Sequence, residues 1–140
     1  MGVAAIDDFF VQYPEYVWSK DAAALVRLYD AQAVLFDMWD EGFQLDPSAW
    51  AKTIVDWLGG LGEERVKVSF DMLRIRRSAD TAFASALVQF QALSKEGAVL
   101  RSMKNRMTLV FSKSEDRWKV LHQHTSAPIR SDSLTAIFDL

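Results

Sequence analysis

Residues 106–128 read RMTLVFSKSEDRWKVLHQHTSAP, and they hold a complete β-hairpin in outline. Met107, Leu109 and Phe111 alternate with Arg106, Thr108 and Val110, the period of two expected of a strand. Ser114–Asp116 is turn-like, and RWKVLHQHTS resumes a β-forming run. On a regular strand Trp118, Val120, His122, His124 and Ser126 share one face, while Lys119, Leu121, Gln123 and Thr125 share the other. Two registers are open. A two-residue loop at Glu115-Asp116 sets both histidines beside Met107, Leu109 and Phe111, whereas one extra looped or bulged residue sets them beside Arg106, Thr108 and Val110.

Upstream of the hairpin, RVKVSFDMLRIRR, TAFASALVQFQAL and AVLRSMKNRMTLVFS read as long strands, divided by turn-like Ser78–Asp80 and Ser94–Gly97. Such short connections favour antiparallel neighbours, so four strands form a meander. Helical spacing dominates the first half. Ile6, Phe9, Phe10, Tyr13 and Val17 mark an amphipathic helix over 5–18, with Pro14 expected to kink or divide it. Asp21 suits an N-cap for a second helix, AAALVRLYD, with Leu25, Leu28 and Tyr29 buried. Residues 33–39, AVLFDMW, read as a strand closed by Asp40-Glu41-Gly42. Asp46-Pro47 opens a third helix with Trp50, Ile54, Trp57, Leu58 and Leu61 on its apolar stripe, and Gly59-Gly60 ends it. Helices first and meander afterwards define an α+β class, with the helices on one face of a curved sheet.

The totals bound the function. A chain of 140 residues fits one domain, taken here as 1–140 with 128–140 as a C-terminal tail. Half of the residues are hydrophobic, with Trp 5, Phe 9 and Tyr 3, which is a globular composition. A net charge of −3 argues against a nucleic-acid partner. The lack of cysteine removes disulfides, thiolate nucleophiles and cysteine-type zinc sites. No apolar run reaches the roughly 20 residues of a membrane helix, and MGVAAIDDFF lacks a basic flank and a cleavage pattern. A cytoplasmic protein without a membrane partner is the expectation.

The order of elements, and the closing pattern of Thr108, Val110, Trp118, His122, His124, Ser126 and Pro128, resemble the nuclear-transport-factor-2-like superfamily. Within it, the likeness is to SnoaL-like proteins and to the association domain of calcium/calmodulin-dependent kinase II. The resemblance implies a cystatin-like cone: three N-terminal helices packed on a strongly curved, mainly antiparallel sheet. It also implies the bulged hairpin register, a ligand pocket on the Leu109/Gln123/Thr125 side, and histidines on the opposite face, where subunits of this superfamily meet. The segment DAAALVRLYDAQAVLFD is further similar to ketosteroid isomerases of the same superfamily, which places Asp37 on their general base and Tyr13 on their oxyanion donor. Their third member, a protonated aspartate, falls here on Met107 or Arg106. Loss of that donor costs about 3–4 kcal/mol in comparable oxyanion holes, so steroid isomerisation is disfavoured.

His122 and His124 admit three readings: hydrogen-bonded structural groups, ligand or proton-transfer contacts, or part of a metal site. Two nitrogens on one strand fall short of the three or four ligands zinc needs, so no metal is expected. Asp37, two residues from Leu35 and from Trp39, is either a pocket acid or a strand terminator bonded to turn amides. Tyr16 competes with Tyr13 for the hydroxyl role. Arg74, Arg76 and Arg77 read as a solvated face, while Arg101 and Arg106 suit an acidic ligand or a carboxylate partner. The resulting expectation is an apolar pocket for a small organic ligand, lined by Phe9, Tyr13, Trp39, Trp57, Leu109 and Gln123, with Asp37 as anchor or base. Arg106, His122 and His124 are the remaining candidate ligand contacts. Any chemistry would be cofactor-free proton transfer, as in an isomerase, dehydratase or cyclase. The alternative is a non-catalytic oligomerisation or binding module, and a homodimer is expected in either case.

Overall fold

The computed structural model describes residues 2–140, and within them every side chain except those of Phe43 and Pro47. In chain order it comprises α1 (Ile6–Ser19), α2 (Ala22–Val26), β1 (Tyr29–Phe36), β2 (Phe43–Gln44), α3 (Pro47–Gly59), β3 (Arg65–Arg77), β4 (Thr81–Leu93), β5 (Val99–Ser114) and β6 (Arg117–Ser126). The strands form one six-stranded sheet in the order β2-β1-β6-β5-β4-β3. Every pairing is antiparallel except β1 with β6, which run parallel. The α+β class and the helices-then-meander layout therefore stand. The first strand joining the last was not read from the sequence. No helix among the described residues is long and apolar enough to cross a membrane.

Helix α1 runs unbroken across Pro14, with Ile6, Phe9, Tyr13 and Val17 buried on one stripe. The expected division at Pro14 is absent, because packing holds the helix where one backbone hydrogen bond is lost. Phe9 and Phe10 meet Phe111 edge-on at 5.4 and 6.3 Å, and Phe10 meets Phe70 at 5.0 Å, which fixes α1 over the half of the sheet formed by β5, β4 and β3. Helix α2 is shorter than expected. Asp21 caps it by accepting from the Ala24 amide at 3.0 Å, but the chain is already extended at Tyr29. Tyr29 is thus a buried strand residue, and β1 spans 29–36 rather than 33–39. In α3, Asp46 accepts from the Ser48 amide at 3.0 Å, and the indole of Trp50 donates to the Ala33 carbonyl at 3.1 Å, tying the helix to β1.

The β5–β6 hairpin combines both registers anticipated for it. Glu115 and Asp116 both take left-handed φ, the two-residue turn that matches strand twist, so Ser114 faces Arg117 and Phe111 faces Val120. A bulge at Leu121 follows, after which Val110 faces His122, Thr108 faces His124 and Arg106 faces Ser126. Trp118 and Val120 consequently point into the core with Gln123 and Thr125. The expectation that they share a face with the histidines is corrected by that one extra residue. Val120 is fully buried.

Residues after β6 return across the sheet. Ile129 bridges Ala136, and the Lys104 amide donates to the Phe138 carbonyl at 2.7 Å, so the tail is an arm docked on β5.

Between β1 and β2 the chain turns tightly: the Asp37 amide donates to the Gly42 carbonyl at 2.8 Å, and Gly42 has φ of 68°. A Cβ at Gly42 would lie 2.1 Å from the Asp37 carbonyl oxygen, whereas one at Gly59 meets nothing within 4 Å. Gly42→Ala is expected to lower the free energy of unfolding in urea by about 1–3 kcal/mol. Gly59→Ala is expected to leave it unchanged or raise it by up to about 1 kcal/mol. Equal values for the two variants would contradict this account of the turn.

Candidate functional site

A pocket of about 750 Å³ opens between α3, the inner face of the sheet and the β1–β2 turn. Its wall toward α3 carries Trp50, Ile54 and Trp57, with Phe90 and Val66 opposite. Trp50 lies against Tyr29 at 5.2 Å, and Trp57 meets Phe90 edge-on at 6.0 Å. This end is aromatic and apolar, as pockets for organic molecules generally are.

Polar groups gather at the end where β1, β6 and α1 converge. Asp37 stands one residue beyond β1 and is half-buried. The Thr125 hydroxyl donates to Asp37 Oδ1 at 3.2 Å, and Thr125 Oγ1 accepts from the Met38 amide at 3.1 Å. The carboxylate is thus oriented by a side chain 88 residues away in sequence. Tyr29 donates to Gln123 Oε1 at 2.5 Å. Tyr13 reaches the same end from α1, is only 5% exposed, and its hydroxyl has no hydrogen-bond partner among the described residues. Burial first, and the Asp37 charge second, push the Tyr13 phenol far above its ordinary range. Tyr29 is raised in the same way, by burial and then by Tyr13 and Asp37. Both phenols keep their protons at any physiological pH, so Tyr13 is a donor aimed at the pocket.

Of the residues anticipated for the site, Tyr13, Asp37, Trp39, Trp57 and Gln123 line this pocket. Trp39 sits at its mouth, 49% exposed, and stacks on Phe138 of the C-terminal arm at 5.7 Å. Tyr16 is elsewhere, with its hydroxyl directed at Gln12. Phe9 and Leu109 belong to the core beneath the pocket, because both are almost wholly enclosed by other side chains. Arg106, His122 and His124 are separated from it by the thickness of the sheet: the Leu121 bulge turns the two histidines to the outer face, and Arg106 faces outward on β5 because it alternates with buried Met107. There, Arg106 donates to Ser126 at 3.1 Å. The two imidazoles meet Phe36 edge-on at 5.1 and 5.6 Å. No group of three or more His, Asp or Glu side chains comes together among the described residues. Arg101 lines the pocket but is bonded to Glu64 at 2.6 Å.

Tyr29, Trp50 and Asn105 were missed as pocket residues. Asn105 was legible in principle: it precedes Met107, Leu109 and Phe111 on their buried parity, where a polar side chain is out of place. Of the two neighbours Arg106 and Met107, Met107 faces inward and lines the pocket, whereas Arg106 faces outward.

Solved structures share this architecture. An NTF2-like protein of unknown function from Pseudomonas putida superposes with a TM-score of 0.82 at 21% identity, covering 96% of this chain and 92% of that one. A protein provisionally assigned as a calcium/calmodulin-dependent protein kinase II association domain, from Xanthomonas campestris, gives 0.74 at 17% identity over 88% and 85%. An NTF2-like protein with a cystatin-like fold from Novosphingobium aromaticivorans gives 0.73 at 15% identity over 92% and 83%. The fold is therefore the cystatin-like, NTF2-like one. The model of the SnoaL-like domain matches residues 6–130, and the chain belongs to that family. No curated protein matches the sequence.

Because the folded state holds the Tyr13 and Tyr29 protons more tightly than the unfolded chain, their contribution to stability is intact below about pH 10 and is lost as pH rises beyond it. The tyrosinate absorbance of these two residues is expected to appear together with unfolding in an alkaline titration. Ionisation of both while the near-ultraviolet dichroism stays native would contradict their burial.

Proposed function

We propose that the chain binds a small, largely apolar carbonyl compound and moves a proton on it without a cofactor. The supporting observation is the pairing of an oriented, half-buried carboxylate with a buried, unpartnered phenol at one end of an aromatic pocket. The Asp37 carboxylate takes a proton from the carbon next to the ligand's carbonyl. The electron pair left behind moves onto the carbonyl oxygen, and Tyr13 donates a hydrogen bond to the enolate. Return of the proton to another carbon completes an isomerisation, and departure of a β-hydroxyl together with the proton that Asp37 has taken, as water, completes a dehydration. Thr125 keeps Asp37 oriented throughout, and the tryptophans exclude water.

The same pocket serves a non-catalytic binding module equally well, and the outer face favours assembly under either reading. Phe83, Val110, His122 and Val34 occupy one continuous rung there, and Phe83 is 50% exposed. The proposed assembly is a homodimer through this face. Light scattering is expected to give twice the chain mass, and Phe83→Asp to give the monomer. A wild-type monomer at micromolar concentration would remove the assembly.

Solvent deuterium exchange into β-tetralone, a bicyclic ketone with an acidic C–H, tests the chemistry by mass spectrometry. Asp37→Asn is expected to slow the exchange about 10²–10⁴-fold and Tyr13→Phe about 10²-fold, with thermal midpoints within a few degrees of wild type. Undiminished exchange in Asp37→Asn excludes Asp37 as the base.

A further inference from the structure

Two buried side-chain atoms lack a hydrogen-bond partner among the described residues, Asn105 Oδ1 and Gln44 Oε1. Both are acceptors, and both belong to residues lining the one aromatic pocket. A buried amide oxygen left without a donor is destabilising, so such atoms are rare unless something else satisfies them. Asn105 is 2% exposed, and it sits on the inner row of β5 two residues beyond Met107, whose register partner is Thr125. Two strand residues advance roughly 7 Å, so Asn105 stands about one aromatic ring away from the level of Asp37.

The charges around the pocket narrow the ligand further. Asp37 and Asp40 are on its lining, and the one arginine there is bonded to Glu64. Among the described residues, a carboxylate or phosphate ligand would meet acceptors and no free cation. From these observations we infer that the ligand is a neutral carbonyl compound carrying a hydroxyl or amino donor about one ring away from its acidic carbon, and that Asn105 Oδ1 receives that donor. This inference rests on the carbonyl-binding reading of the pocket and adds to it the group that selects the ligand.

A matched pair of probes tests it: β-tetralone with a phenolic hydroxyl on the aromatic carbon remote from the acidic C–H, and the methyl ether of the same compound. The two differ in one donor. Binding is read by quenching of tryptophan fluorescence, since Trp39, Trp50 and Trp57 all line the pocket. Wild type is expected to bind the phenol about tenfold to a hundredfold more tightly than the ether. Asn105→Leu, similar in size and without the acceptor, is expected to bring the two affinities within about twofold while deuterium exchange remains sensitive to Asp37. Equal affinities in wild type, or an undiminished preference in a folded Asn105→Leu, would overturn the inference and leave the proton-transfer reading intact. Should Asn105→Leu fail to fold, the wild-type ratio still decides. Binding of neither ketone would overturn both.

Discussion

The β5–β6 hairpin obeys two constraints in succession, and the position of every pocket residue on β6 follows from how they are reconciled. The left-handed turn at Glu115-Asp116 sets a tight register that buries Phe111 against Val120. Continued without interruption, that register would drive His122 and His124 toward the helices, opposite Leu109 and Met107. Each imidazole would then be desolvated among apolar side chains, at about 1–3 kcal/mol for an unpaired polar group. The additional residue at Leu121 inverts the alternation. The imidazoles turn outward against Phe36, while Gln123 and Thr125 turn inward to Tyr29 and Asp37. One residue of slack in a ladder therefore separates a core from a polar site built on the same strand.

Much of the architecture is legible in the local pattern of the sequence. The long strands, the caps at Asp21 and Asp46, and the α3 stripe all depend on neighbours within a few residues, where local pattern is informative. What escaped depends on distant partners. Residues 27–30 look helical in isolation, yet Arg27 and Leu28 form a turn and Tyr29 and Asp30 are extended, with the Val120 amide donating to the Leu28 carbonyl at 3.0 Å. The parity of β6 required knowing whether a bulge was present, and alternation alone does not reveal one. Asp37 and Tyr13 were nominated through a family resemblance, and both line the same pocket from elements far apart in sequence. Asn105 stood on the buried row of β5 and was passed over because its neighbours read simply as core.

The chemistry available to the pocket follows from an imbalance. Its apolar wall is deep and aromatic, and its polar end holds a carboxylate and two protonated phenols. One phenol is bonded to Gln123 and the other is free. Burial supports both features, since desolvation keeps the phenols neutral and strengthens any hydrogen bond they give.

The parallel pairing of β1 with β6 has a temporal meaning. Asp37 is oriented by Thr125, and Tyr29 is bonded to Gln123, a residue 94 positions downstream. A ribosome releases the amino-terminal partner of each contact long before the carboxy-terminal one, so the hollow lacks a floor until β6 has emerged. Closing such large loops slows the search for the native state relative to a helical bundle of equal length. A chain that stops ahead of residue 117 lacks the strand that supplies Gln123 and Thr125, so the aromatic wall of Trp50, Trp57 and Phe90 has no polar end to face.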